Sequence, residues 1–200
     1  MKLQILFVLM LIGSVTYAQN PMFDICPLKV GSEIPDGTLT TIEGTEKSLH
    51  DLVDEKPTIL IFYRGAWCPY CTRHLAELND IKGDVEALGY QIFGITIDQS
   101  SKLEVSASKS GGEIEVFSDS KAELIKAYGL DWKVDDALVS KYLNDYKLDL
   151  EEWSGEEHHV LPVPAVFVIK DGLIQYQYVN PNYNTRLNPD VLLAMLKSDG

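Results

Sequence analysis

Cys68 and Cys71 stand in the run Tyr63-Arg64-Gly65-Ala66-Trp67-Cys68-Pro69-Tyr70-Cys71. A C-x-x-C between an apolar run and a helical pattern is the sequence form of a redox-active dithiol. Disulfide exchange needs a thiolate, and a free Cys with a pKa near 8.5 holds little of it at neutral pH. A helix N-terminus favours the anion, because its unpaired N–H groups carry partial positive charge. Cys68 is therefore assigned as the attacking thiol, the more exposed of the two, with a lowered pKa. Cys71, one turn on, is the resolving thiol. Pro69 suits the first helical turn, where its missing N–H costs nothing. A zinc site needs further ligands, and the chain has no second C-x-x-C. The adjacent pair His158-His159 is the only other donor set, and neighbours rarely ligate one ion together. No metal is expected. A permanent structural bridge rarely closes so short a loop at a helix start.

The elements around the dithiol follow from periodicity. Residues 57–63 are continuously apolar and β-branched or aromatic, which predicts a buried strand. Leu75, Leu78, Ile81, Val85 and Leu88 recur at helical steps, predicting one helix that Gly89 ends. Tyr90 to Ile97 and Glu113 to Phe117 read as further strands. Lys102 to Ser108 and Lys121 to Tyr128 read as helices. Earlier, Thr38 to Ile42 predicts a short strand and Ser48 to Val53 a helical turn. Val163 to Tyr178 is a strand, an Asp171-Gly172 turn and a second strand. Asn188 to Leu196 is a helix with Asn188 as N-cap and Pro189 at its first position. Alternating strands and helices imply a parallel section, and the hairpin adds an antiparallel edge.

Residues 131–160 differ in composition. They hold nine acids and three lysines, with Trp132, Tyr142, Tyr146 and Trp153. Val134, Leu138, Tyr142 and Tyr146 lie at helical spacing. The segment reads as a solvated acidic insertion, a helix and then a loop, that packs its aromatics on the domain edge rather than forming a substrate lid.

Residues 1–18 have the form of a secretory signal: Lys2, an apolar core from Leu3 to Ile12 too short to span a bilayer, then Gly13, Ser14 and Ala18 before Gln19. Cleavage near Ala18 leaves 19–200 as one domain in the periplasm or outside the cell, where disulfides persist. An uncleaved N-terminus would instead anchor it. The net charge of −13 argues against nucleic acid or anionic membrane as partners. Cys26, the third thiol, lies in the apolar stretch Ile25-Cys26-Pro27-Leu28 and is expected to be buried and inert.

The Trp-Cys-Pro-Tyr-Cys motif with its flanking strand and helix, and Val163-Pro164-Ala165 before a hairpin, resemble the thioredoxin fold. The run from Phe62 to Cys71, the N-terminal extension and Asn182-Tyr183-Asn184-Thr185-Arg186 resemble its peroxiredoxin-like (alkyl hydroperoxide reductase/thiol-specific antioxidant) branch. The resemblance covers residues 28–198. It implies an α/β three-layer sandwich: a central mixed sheet, an antiparallel C-terminal hairpin and helices on both faces. It also implies a cis Val163–Pro164 bond that leaves the Val163 backbone open for an extended substrate, with Trp67, Pro69 and Tyr70 beside it. Arg64 or Arg186 would stabilise the Cys68 thiolate.

The chain departs from both patterns. Peroxiredoxins carry Pro seven residues and Thr or Ser three residues before the reactive Cys; Ile61 and Gly65 stand there. Thioredoxins carry a buried Asp six residues before the first Cys; Phe62 stands there, so that proton acceptor is missing. His74 and Glu77 are alternatives for moving a proton, with His74 expected at the surface.

The reading is a thiol–disulfide oxidoreductase whose redox element is the Cys68–Cys71 disulfide itself, without haem, flavin or nicotinamide. Its partners are protein or small-molecule disulfides and thiols. A thiol peroxidase acting on peroxides is the alternative, and a non-catalytic binding module docking through residues 131–160 a third.

Overall fold

A computed structural model describes residues 21–198. The predicted signal segment, residues 1–18, lies outside the described residues. The strands are β1 (Thr38–Thr40), β2 (Glu46–Ser48), β3 (Thr58–Phe62), β4 (Gln91–Thr96), β5 (Glu115–Ser118), β6 (Asp131–Lys133), β7 (Val160–Pro162), β8 (Ala165–Lys170) and β9 (Leu173–Val179). The helices are α1 (Leu49–Val53), α2 (Pro69–Asp80), α3 (Lys82–Ala87), α4 (Leu103–Lys109), α5 (Glu123–Ala127), α6 (Asp136–Tyr146), α7 (Leu150–Ser154) and α8 (Pro189–Ser198).

Seven strands form one mixed sheet in the order β2-β1-β5-β4-β3-β8-β9, and β6 pairs with β7 separately. β3, β4 and β5 run parallel, while β8 runs antiparallel to β3 and β9 antiparallel to β8. Central β3 is buried on both faces, which explains its unbroken apolar run. Its side chains alternate between two cores. Ile59 and Ile61 join Leu75, Leu78, Leu192 and Leu196 under α2 and α8. Leu60 and Phe62 join Leu49, Leu124 and Phe167 on the α1 and α5 side. Phe62, Tyr128 and Phe167 stack there with centroids 4.8–5.8 Å apart. The α/β three-layer architecture is the expected one.

Three local details depart from the sequence reading. The long helix after the dithiol is two helices, broken at Ile81 (φ −104°, ψ 2°). Gly83, a poor helix former, opens the second, and Leu88 is exposed rather than on the buried stripe. The Val163–Pro164 bond is trans, the isomer that X-Pro bonds favour by about 0.5–1 kcal/mol. The segment 131–160 is not a helix and a loop: it contains β6, α6, α7 and the start of β7, with Trp132, Leu150 and Val160 buried in the main core. The hairpin turn forms as expected, with Asp171 and Gly172 both at positive φ (54° and 72°), as a type I′ turn requires. Asn188 caps α8 by accepting a bond from the Asp190 N–H at 2.7 Å.

Candidate active site

The dithiol sits where β3 ends and α2 begins, at the carboxyl edge of the parallel strands, the usual place for a site in such sheets. Cys68 is the N-cap of α2 in extended conformation and Pro69 its first residue. The Cys71 thiol donates to Cys68 Sγ at 2.7 Å. Both cysteines are nearly buried, at 2% and 1% residue exposure, so the expected exposure of Cys68 is not found. Cys68 nonetheless borders an open groove with Arg64, Trp67, Pro69, Tyr70 and Tyr142. Cys71 lies on the buried stripe of α2 with Leu75 and Leu78.

The two thiols are pulled apart in acidity. The hydrogen bond from Cys71 lowers the pKa of Cys68 most, followed by the charge of Arg64; burial opposes them, and the net is a fall to about 6. Burial and the neighbouring sulfur push Cys71 well above the usual thiol range. The helix start contributes as well, through the Cys71 backbone N–H, as a smaller influence. The anion is favoured chiefly by the partner thiol and an arginine.

Both arginines lower the pKa of Cys68, Arg64 more than Arg186, and Arg186 also acts on Cys71. Arg64 is buried at 4% exposure, donates to Tyr142 Oη at 2.5 Å, and lies 4.5 Å from the Tyr183 ring centroid and 4.9 Å from that of Trp67. Arg186 donates from Nη2 to Cys71 Sγ at 3.3 Å and from Nη1 to the Tyr183 and Thr185 carbonyls. The loop before α8 therefore delivers Tyr183 to Arg64 and Arg186 to Cys71.

Several expected residues stand elsewhere. Val163 and Pro164 are buried, and the Val163 N–H donates to the Leu130 carbonyl at 2.8 Å, so it is not open to a substrate strand. The β6–β7 ribbon, absent from the sequence reading, brings Leu130 there. His74 is buried, not superficial. Its Nε2–H donates to the Leu187 carbonyl at 3.1 Å, and burial with Arg186 nearby lowers its pKa to about 4, leaving a neutral imidazole. Glu77 is exposed and pairs with Arg73 across 4.0 Å. His158 bonds the Ser120 carbonyl and His159 bonds Glu151, each at a separate task. Cys26 is exposed, because its backbone, not its thiol, is what packs against Gly129.

The sequence reading missed two contributors. Asp98, just past β4, is fully buried and accepts the Ala66 N–H at 2.8 Å on Oδ2. Its Oδ1 faces the Trp67 indole N–H beside Gly65, neither group closing a bond of normal geometry. Burial first, and the neighbouring Cys71 charge, raise its pKa to about 7. A lone Asp ending an apolar strand was the available signal. The second contributor is α6, which carries Tyr142 and Tyr146 to the groove wall, so the aromatics of the acidic segment line the site rather than a distant edge.

A model of the AhpC/TSA family matches residues 30–177. The chain belongs to the AhpC/TSA family. This AhpC/TSA protein is 31% identical over 102 residues to peroxiredoxin bcp1 of Schizosaccharomyces pombe, covering 51% of the chain and 52% of that relative. It is 28% identical over 127 residues to the thiol-disulfide oxidoreductase ResA of Geobacillus thermodenitrificans, covering 63% and 71%. The aligned part spans 52–66% of the length of the first curated relatives. In fold it is similar to peroxidoxin BcpB of Mycobacterium tuberculosis (TM-score 0.66, 20% identity, covering 86% and 97%) and to reduced Prx3 of Vibrio vulnificus in complex with H2O2 (TM-score 0.69, 18% identity, 84% and 99%).

Asp98 gives this AhpC/TSA protein a pH signature. A carboxyl raised from about 4 in the unfolded chain to about 7 in the fold binds more protons when folded. Its contribution to stability is therefore full at low pH and falls as pH rises from about 4 to 7. Asp98→Asn keeps an acceptor for the Ala66 N–H and removes the ionisation. Urea unfolding across that window is expected to favour the Asn variant progressively, by at most about 1.4 kcal/mol per pH unit. Parallel curves for the two proteins would contradict the assignment.

Proposed function

We propose that the protein is a thiol–disulfide oxidoreductase. Cys68 is the attacking thiol and Cys71 the resolving one. The observation that carries this reading is the hydrogen-bonded sulfur pair, 2.7 Å apart at the start of α2, with the outer thiol made acidic and the inner one kept protonated. The Cys68 thiolate attacks a substrate disulfide, forming a mixed disulfide and expelling one substrate thiolate, which takes up a proton. Cys71 then loses its proton and attacks Cys68 Sγ, releasing the second substrate thiol and leaving the protein disulfide. Run backwards, the same steps oxidise a dithiol. Arg64 holds the outer sulfur anionic, and Arg186 assists deprotonation of the inner one. No prosthetic group takes part in these steps.

A thiol peroxidase is the second reading, favoured by the peroxiredoxin relatives and by Arg64 beside Cys68. Against it stands Gly65, which supplies no hydroxyl to orient a peroxide. We place the mature protein outside the cytoplasm, from Lys2, the apolar core at 3–12 and Ala18. N-terminal sequencing of the processed protein tests that, with Gln19 expected first.

Activity is tested by following the reduced protein with a small aromatic disulfide and, separately, with hydrogen peroxide. Rapid stoichiometric oxidation by the disulfide, with peroxide consumed no faster than by free cysteine, is expected. The opposite ranking would install the peroxidase.

A further inference from the structure

The groove beside Cys68 is larger and more cationic than disulfide exchange with a small thiol needs. It has a volume of about 940 Å³, near the top of the roughly 300–1,000 Å³ range of small-molecule sites. Lys109, Lys141, Lys147 and Arg64 all border it. The one carboxylate on its wall, Asp135, is engaged in capping α6 through the Leu138 N–H at 2.9 Å. Among the described residues, none of the four cations forms a salt bridge; Lys109 and Lys147 donate to the Ala66 and Asn144 carbonyls and Arg64 to Tyr142 Oη, so their charges are not neutralised. In a chain of net charge −13, the wall of this groove carries more cations than carboxylates. A patch of opposite sign in an acidic protein steers acidic partners to one place and repels them elsewhere.

The apolar part of the wall points to a macromolecule. Trp67, Tyr70, Tyr142, Tyr146 and Trp153 line it, the residue types that anchor partners at interfaces. The helix α6 that carries two of them has no fully buried residue. Its Tyr146 and Leu143 are 62% and 49% exposed, so apolar surface continues beyond the groove. The nearly buried Cys68 borders the groove, so a partner sulfur approaching along it reaches the thiol.

Resting on the oxidoreductase reading, we propose that the groove docks an extended polypeptide segment whose disulfide-bonded cysteine is flanked by acidic and apolar side chains. Lys141, Lys147 and Lys109 meet the carboxylates, the aromatics of α6 cover the apolar side chains, and the cysteine is presented to Cys68. The covalent step is the exchange already described: Cys68 bonds to the peptide sulfur and the peptide's former disulfide partner leaves as a thiolate.

The test uses the reduced full chain in single-turnover reactions. The probes are short peptides carrying one cysteine as a mixed disulfide with a chromophoric thiol, flanked by Trp and either two Glu or two Lys. Attack of Cys68 releases the chromophoric thiolate, so the rate is read directly. The Glu peptide is expected to react about tenfold faster than the Lys peptide at low ionic strength, with the gap closing in salt. In K141E/K147E the ratio of the two rates falls to one or inverts; a misfolded variant would slow both peptides alike and leave the wild-type salt dependence as the deciding measurement. Equal wild-type rates for the two peptides would overturn the docking proposal while leaving the oxidoreductase reading intact. A preference for a small uncharged disulfide over both peptides would likewise overturn it and make the groove a small-molecule site. No reaction with any disulfide would instead sink the reading on which the proposal rests.

Discussion

Cys68→Ser is expected to abolish turnover of a disulfide substrate, with a fall on the order of a thousandfold or more. A serine hydroxyl at neutral pH cannot replace a thiolate held by Arg64 and by the Cys71 thiol. Cys71→Ser separates the two half-reactions. The first attack proceeds, because Cys68 keeps Arg64 beside it, but the mixed disulfide then persists for want of a resolving sulfur 2.7 Å away. Mass spectrometry of the Cys71→Ser protein in a Cys26→Ser background, after exposure to a disulfide, should find one substrate thiol attached to each chain. A serine hydroxyl still donates to Cys68 Sγ, so the influence of Cys71 on Cys68 acidity is read in Cys71→Ala, where the first attack should lose much of its rate near pH 6 and recover towards pH 9. Full activity in Cys68→Ser, or trapping on Cys71 in the wild type, would reverse the assignment of roles.

Gly65→Thr carries the second large effect, on stability. The substitution places a hydroxyl three residues before the reactive cysteine, where peroxiredoxins carry one. In this chain the space is taken. Gly65 has φ of 148°, and a Cβ there would lie 2.6 Å from Asp98 Oδ1 and closer still to the Trp67 indole nitrogen. Backbone strain of about 1–3 kcal/mol adds to overpacking of about 1–3 kcal/mol. Denaturant unfolding should show a loss of about 2–6 kcal/mol. Peroxide consumption should not rise, because Trp67 and Asp98 must be displaced before the hydroxyl can point at Cys68. A stable Gly65→Thr protein that gains peroxidase activity would mean that the missing hydroxyl alone separates this site from a peroxidase.

What was legible in the sequence was what local chemistry decides. The dithiol at a strand-to-helix junction, the Asp171-Gly172 turn and the Asn188-Pro189 helix start each depend on a few neighbouring residues, and each formed as read. The residues that tune the site come from far along the chain. Asp98 reaches the loop before Cys68 because β4 runs parallel beside β3, and Arg186 reaches Cys71 because the chain returns over α2. Neither approach leaves a periodic trace. Tyr142 was noticed for its spacing, yet only the β6–β7 ribbon places α6 over the groove. That same ribbon occupies the Val163 N–H through Leu130, closing a surface that the resemblance left open. His74 could have been placed correctly from spacing, since Cys71, His74, Leu75 and Leu78 share one helical stripe. The position of His74 on that stripe, not its polarity, decides its burial. The helix terminus behind Cys68 acidity is visible in a sequence, whereas the larger share of the partner thiol and the stacking of Arg64 on Trp67 and Tyr183 are not.

The most direct test of the account is an ultraviolet thiolate titration of the reduced protein in a Cys26→Ser background, which removes the exposed third thiol, with the Cys71→Ser and Cys68→Ser variants as controls. One thiolate should appear with a midpoint near pH 6, assigned to Cys68 by its loss in Cys68→Ser. The second should not appear until well above the ordinary thiol range. A Cys68 that titrates like free cysteine, near pH 8.5, or a Cys71 that ionises first, would contradict the division of labour on which the proposed activity stands.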